Sequence, residues 1–291
     1  MEIRPDCVPC LMKRVLFQAR LLDNGCEYDA IEAAMKTYSD LFGPGRNSAA
    51  VATEVHRSAY KAMGSRDPYL ALKIEADKVA GEYMDVVTDY IDGSEDRFAA
   101  AVRVAVIGNI MDFGSGIAID HPDQFRGQFD KLLAQGIGSD DTVRFKQAVL
   151  DADTVLYIFD NCGESQLDKF LIKEIRNMGK RVVGVVRGEP ILNDVTMTDA
   201  KRIGLDKVVD RLVTTNQFAI GFDLRKVGED LKEEMSKTGL IVAKGMANYE
   251  ALSDQITGMS VVYILRTKCI PVAESLGVPT EINVVRFVPY E

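Results

Sequence analysis

Histidine is scarce in this chain: 291 residues contain two, His56 and His121, and neither has an obvious ligand beside it in sequence. That argues against a zinc hydrolase built on imidazoles. Cysteine is both few and odd in number, at five, which does not make the disulfide framework of a secreted domain. No apolar run approaches the length of a membrane span, and Met1–Pro5 is no signal peptide. Positive charge is not in excess either. The net charge of -9 disfavours a general binder of nucleic acid or anionic membrane, while leaving room for a local anion pocket. The expectation is a cytoplasmic protein that engages neither nucleic acid nor membrane.

Several motifs are missing as well. Without Gly-x-x-x-x-Gly-Lys-Ser/Thr, a P-loop nucleotide hydrolase is disfavoured. Phe113-Gly114-Ser115-Gly116 falls short of the Gly-x-Gly-x-x-Gly dinucleotide fingerprint. There is no Gly-x-Ser-x-Gly with a late histidine partner. Cys162 lacks the downstream arginine that a thiolate phosphatase needs, since Gly163–Lys169 contains none, and reads as a small filler of its turn. An Asp-x-Asp aspartyl-phosphate enzyme would want an acid at position 162, which is absent.

What is present is an ordinary globular composition, long enough for one large α/β domain or a domain with a helical cap. Residues 1–97 read as a helical subdomain. Cys10–Leu22, Asp29–Phe42, Asn47–Ala62 and Pro68–Ile91 carry apolar residues at three- and four-residue spacing, separated by Gly-containing turns. Cys7-Val8-Pro9-Cys10 has the spacing of a redox pair or of half a zinc site. No second pair or finger-spaced histidine accompanies it, so a structural role is expected, with Cys26 a conceivable third member.

From residue 98 to 291 the chain reads as an α/β body. Apolar runs at Val102–Ile107, Thr154–Phe159, Arg181–Val186, Lys207–Val209, Leu240–Ala243, Val261–Leu265 and Glu281–Val288 predict strands, alternating with helical stretches such as Gln166–Gly179. That order predicts a Rossmann-like, mostly parallel sheet with helices on both faces. The centre of the pattern is Thr154–Glu164, a buried strand followed by Asp160-Asn161-Cys162-Gly163-Glu164. Asp160 and Asn161 there either bind a hard cation or simply cap the next helix.

Polar groups recur directly after the apolar runs: Asn109 and Asp112, Asp160 and Asn161, Asp194, Lys244 and Asn248, Arg266 and Lys268. If the strands are parallel, these ends share the edge at which open α/β sheets bind ligands. Carboxylates and carboxamides for a cation, with ammonium and guanidinium groups for an anion, suit a metal ion beside a phosphate.

Taken in order, Gly108-Asn109-Ile110-Met111-Asp112-Phe113, Asp160-Asn161-Cys162-Gly163-Glu164, Arg187…Asn193-Asp194, Lys244-Gly245-Met246-Ala247-Asn248-Tyr249-Glu250 and Leu265-Arg266-Thr267-Lys268 resemble the damage-control phosphatases, also termed domain of unknown function 89. The resemblance spans essentially the whole chain and, with the early Cys-x-x-Cys, is greatest to the stand-alone archaeal and bacterial branch. It implies a helical amino-terminal part, a Rossmann-like body and divalent-metal-dependent hydrolysis of phosphate esters of small metabolites, such as sugar phosphates or cofactor precursors. Asp160, Asn161 and Asp194 would hold the ion (Mg, Mn, Co or Ni), with Asp160 or Asp194 as base. Asn109 and Lys244 would touch the phosphate or hold the shell around it, and Glu164, Asp112, Asn248, Glu250 and Lys268 would complete the site. Two rival classes are an S-adenosylmethionine-dependent methyltransferase and a non-catalytic sensor of a metal or phospholigand. The sequence contains no heptad that would set an oligomeric state.

Overall fold

The computed structural model describes residues 1–113, 119–255 and 257–290. Residues 114–116 of the loop that follows Asp112 therefore lie outside the described residues. The amino-terminal part folds into α1 (Cys7–Leu21), α2 (Glu27–Leu41), α3 (Ser48–Met63), α4 (Leu70–Gly81) and α5 (Met84–Asp92). Asn47 caps α3, its side-chain oxygen accepting from Ala50 N at 3.0 Å, and Gly64 ends that helix in the left-handed region. The single helix expected over Pro68–Ile91 is two. The chain turns at Glu82-Tyr83, where the Tyr83 ring packs on Phe125 and Phe129 and its hydroxyl donates to Arg126 O at 2.7 Å.

The strand expected over Val102–Ile107 is instead part of a helix, α6 (Arg97–Gly108). Asp96 caps it through Ala99 N at 3.1 Å, and every residue from Val104 to Gly108 is buried. A helix buried on nearly every side, as here where Arg103 is its exposed residue, shows little amphipathic period, so its sequence looks like that of a buried strand. The alanines at 99–101 and 105 are what favour helix.

The remaining elements are α7 (Phe129–Gln135), β1 (Ser139–Asp140), α8 (Thr142–Asp151), β2 (Thr154–Ile158), α9 (Glu164–Asn177), β3 (Arg181–Val186), α10 (Met197–Arg202), β4 (Arg211–Thr214), α11 (Glu229–Met235), β5 (Leu240–Lys244), α12 (Gly245–Leu252), β6 (Ser260–Arg266), α13 (Ile270–Leu276) and β7 (Asn283–Val288). The Lys207–Val209 run is not a strand. A 3-10 turn occupies Leu205–Lys207, and β4 begins only after Asp210, whose carboxylate accepts from Val182 N at 2.8 Å. Asp210 thus precedes its strand instead of ending it.

The strands form one sheet in the order β1-β7-β6-β5-β2-β3-β4. From β6 through β4 it is parallel, and β7 pairs antiparallel with β6. Side chains alternate between two faces, as the two-residue strand period requires. Tyr157, Val182 and Val242 join a core with Leu171 of α9 and Phe145 of α8; Ile158, Val183 and Ile241 join another with Leu231, Leu252 and Val272 of α11, α12 and α13. Helices therefore cover both faces. The chain runs outward from β2 to β3 and β4, then returns to the other side of β2 for β5 and β6. The strand order switches between β2 and β5, the place where doubly wound sheets open a crevice. Among the described residues no helix is long and apolar enough to cross a membrane.

Under this crevice, His56 of α3 is fully buried, its Nδ1 is 3.1 Å from Gln18 Oε1 and its Nε2 has no partner among the described residues. Burial, helped by Arg14, lowers its pKa to about 3. The unfolded chain takes up a proton near pH 6.5 that the folded chain refuses until about pH 3, so stability falls as pH drops through that window. The expected cost is roughly 2 kcal/mol at pH 5. In urea titrations at pH 7.5 and 5, His56→Leu should lose less stability than the native protein by about that amount; an equal loss in both would refute the account.

Candidate active site

The loops after β2 and β3 are zipped together. Asn161 and Asp194 form an isolated antiparallel bridge, Val195 N donates to Asp160 O at 2.8 Å, and Cys162 N donates to Asn193 O at 2.8 Å. Backbone pairing thus sets Asp160, Asn161 and Asp194 side by side. Gly163 closes the turn with φ +80°, and its N–H donates to Asp77 Oδ1 of α4 at 2.7 Å. A Cβ there would sit 2.5 Å from Met111 Sδ, so the close approach also requires glycine. Cys162 is buried, its Sγ 4.0 Å from Asp194 O, in agreement with a small filler.

Asp160 and Asp194 share one buried cation, Arg187. Its Nε donates to Asp194 Oδ2 at 2.6 Å, one terminal nitrogen reaches Asn248 Oδ1 at 3.1 Å, and the other lies 3.5 Å from Asp160 Oδ1. Burial, then the charges of Asp194 and Glu164, push the Asp160 carboxyl well above the usual range despite Arg187. Burial also raises Asp194, against the pull of Arg187. Two carboxyls so crowded, with one guanidinium between them, leave room in the charge balance for a further cation.

The turn after β5 completes the crevice. Gly245 has φ +75°, and a Cβ on it would overlap Asp160 Oδ2 and fall 3.0 Å from Asn109 Nδ2. Gly245→Ala must therefore displace Asp160. A misplacement of about 1 Å in a reacting centre can cost a hundredfold in rate, and a fall of that order in kcat is expected; a Gly245→Ala protein within a fewfold of native turnover would show that Asp160 tolerates the shift.

The geometry divides the residues expected at the site. Asp112, Asp160, Asn161, Asp194, Glu250 and Lys268 line a cavity of about 520 Å³ between the crevice and the helical part. Asn109, Glu164, Lys244 and Asn248 are fully buried behind it. Asn109 follows α6 rather than a strand; it donates to Glu164 at 3.0 Å and accepts from Arg266 N at 3.0 Å. Asn161 Nδ2 donates to Asp160 Oδ2 at 2.8 Å and to Glu164 Oε2 at 2.9 Å. Asn248 holds backbone, donating to Lys244 O at 2.6 Å and to Phe159 O at 3.2 Å.

Direct contact between Lys244 and a phosphate in the cavity, one of the two roles expected for it, is corrected by its position. Its ammonium lies 2.6 Å from Asp168 Oδ1, 2.7 Å from Glu164 Oε1 and 2.7 Å from Ala105 O. Burial opposes its charge, but Asp168 and Glu164 outweigh that and raise its pKa. Lys244 instead ties together β5, α6 and α9 beneath the site.

Among the described residues Lys13, Arg14 and Lys268 are the cations that line the cavity, and the last two are the ones tied to its floor. Lys268 and Arg14 grip opposite oxygens of Asp112, at 3.1 Å and 3.0 Å. Burial alone would raise Asp112, yet Arg14 and Lys268 hold it below its ordinary value. Arg14 gave no signal in the sequence, since an arginine within an amphipathic helix reads as solvated surface. Arg187 did carry one, standing directly after an apolar strand as the expected residues do. Cys7, Cys10 and Cys269 line the cavity mouth, whereas Cys26 lies apart, its thiol 3.8 Å from Ala19 O. Burial raises all three thiols at the mouth, Cys7 to about 11 and Cys269 to about 12.

Could these residues hold the divalent ion that the family resemblance implies? Among the described residues no group of three His, Cys, Asp or Glu side chains is placed to ligate a metal. The fitting set is two carboxylates and a carboxamide, oxygen donors throughout, which suits a hard cation and not a thiophilic one.

Fold and site together define the class: a Rossmann-like α/β protein with an acid-floored cavity at its switch point, closed over by helices. The chain belongs to the ARMT1-like damage-control phosphatases. The model of the damage-control phosphatase ARMT1-like domain matches residues 3–284. A damage-control phosphatase of Archaeoglobus fulgidus is 34% identical over 280 residues, covering 96% of each chain, and one of Pyrococcus horikoshii is 29% identical over 282 residues, also 96% of each. The crystal structure of a DUF89 family protein from Pyrococcus horikoshii superposes with a TM-score of 0.86 at 26% identity, covering 98% of both chains. Membership places the chain among hydrolases of the phosphatase class.

Proposed function

We propose that this protein hydrolyses phosphate monoesters of small metabolites with a divalent metal ion held by Asp160, Asn161 and Asp194. The observation that carries the reading is the backbone zipper that sets these three oxygen-bearing side chains on the floor of a cavity also lined by Arg14 and Lys268. The ion would supply Lewis acidity toward the phosphoryl oxygens and toward a water molecule. Lys268 and Arg14 bind the phosphoryl group and offset the charge that grows on its oxygens. Asp112 fixes both cations in place. Water attacks phosphorus, Asp194 or Asp160 accepts one of its protons, the ester P–O bond breaks, and that carboxyl passes the proton to the leaving oxygen, so that alcohol and hydrogen phosphate are released. Arg187 orients both carboxylates throughout. Asn109, Glu164 and Asn248 act from behind, by fixing the floor.

A methyl-transfer reading is less well supported, because the turn after β2 carries Asp-Asn-Cys-Gly where a glycine-rich cofactor loop would be wanted. The test is phosphate release from p-nitrophenyl phosphate and a panel of sugar and cofactor phosphates. EDTA should silence the enzyme, and added Mg²⁺, Mn²⁺, Co²⁺ or Ni²⁺ should restore it. Full activity after chelation would remove the metal from the mechanism, and silence with every ion would remove the phosphatase reading.

A further inference from the structure

Leu192 lies two residues before Asp194, with φ +49°, in the left-handed region that glycine and asparagine occupy readily and leucine does not. The conformation is held from the helical part, where the Tyr60 hydroxyl accepts from Leu192 N at 3.0 Å. A strained residue at a cavity invites the question of what the strain provides. Here it places a leucine side chain in the cavity lining beside the acidic floor. Ile3, Leu11, Ile220 and Met246 line the same space, and Ile270 stands at its edge, 54% exposed. Asp6, Lys13, Ser48, Thr280 and Glu281 also line the cavity, but the side chains beside Asp194 on this wall are hydrocarbon. The deep imidazole there, His56, already points one nitrogen at Gln18.

We infer that the cavity selects phosphate monoesters whose alcohol part is apolar next to the ester oxygen, over polyhydroxylated sugar phosphates, and that Leu192 is a specificity-determining residue. The inference rests on the phosphatase reading above.

The test uses non-hydrolysable probes, so that turnover is not needed. Methyl-, butyl- and hexylphosphonate, and a hexose phosphonate, are titrated calorimetrically into the intact protein with Mg²⁺ present. Affinity should rise about fourfold for each methylene that becomes buried, and the hexose compound should bind more weakly than hexylphosphonate. Leu192→Asn and Leu192→Gly both accept the left-handed backbone. Both should flatten the chain-length gradient while leaving methylphosphonate affinity near native, which a misfolded protein would not do. Affinity independent of chain length, or tighter binding of the hexose compound, overturns the inference and leaves the phosphatase reading intact. An undiminished gradient in both Leu192 variants removes the role of Leu192. No binding of any phosphonate removes the phosphate site itself, and the inference with it.

Discussion

Asp160→Asn is expected to lower kcat by at least about a thousandfold, because one charge of the ligand set proposed above, Asp160, Asn161 and Asp194, is worth several kcal/mol of charge stabilisation in the transition state. The same substitution should leave the fold at least as stable. Asp160 is buried, and burial together with Asp194 and Glu164 raises its carboxyl. The sign follows: a group whose folded pKa lies above its unfolded value weakens the fold as pH rises through that interval, so above the ordinary carboxylate range Asp160 costs stability. A carboxamide of the same shape escapes that cost, and its single oxygen can take the place of Oδ2 as acceptor for Asn161, at the loss of the longer 3.5 Å contact between Oδ1 and Arg187. Phosphate release and urea denaturation of metal-free protein at pH 7.5 check the two halves. An Asp160→Asn protein with near-native turnover would remove the central assignment, and one that fails to fold would mean that the carboxylate is structural.

Lys244→Met should have the opposite profile, a large loss of stability. Its ammonium sits between Glu164 and Asp168, and Asp168 also accepts from Tyr157 at 2.8 Å while its second oxygen has no partner. Removing the cation leaves two buried carboxyls uncompensated, for which roughly 3–5 kcal/mol is typical. Neutralising the acids as well, in Lys244→Met with Glu164→Gln and Asp168→Asn, should recover much of the loss. The measurement is the urea midpoint of each protein. A Lys244→Met protein of native stability whose KM for phosphate esters is raised would return Lys244 to the phosphate.

How much of this was legible beforehand depends on the range over which each feature is decided. Strands β2, β3, β5, β6 and β7 were readable because a strand buried on both faces must be a short apolar run, whatever surrounds it. The same rule misread α6. Burial on nearly every side erases the period that separates helix from strand, and only the packing of α6 against α9 and β6 resolves the ambiguity. The Lys207–Val209 run was misread for a smaller reason: Val208 and Val209 look like a strand, yet they belong to the turn before one.

The candidate site divides along the same line. The sequence by itself determined which oxygen-bearing residues stand at the ends of β2 and β3, because the turn must begin where the apolar run stops. It also determined the glycines that those turns require. Only the tertiary structure decided which cations face the cavity. Lys244 shares a strand face with Val242, toward the core beneath α9, so its position at a strand end does not bring it to the crevice. Arg14 reaches Asp112 across 98 residues of sequence, from a helix whose register over the sheet is set by packing. A strand's end is written locally, but the direction of a side chain and the neighbour it meets depend on which layers close over it.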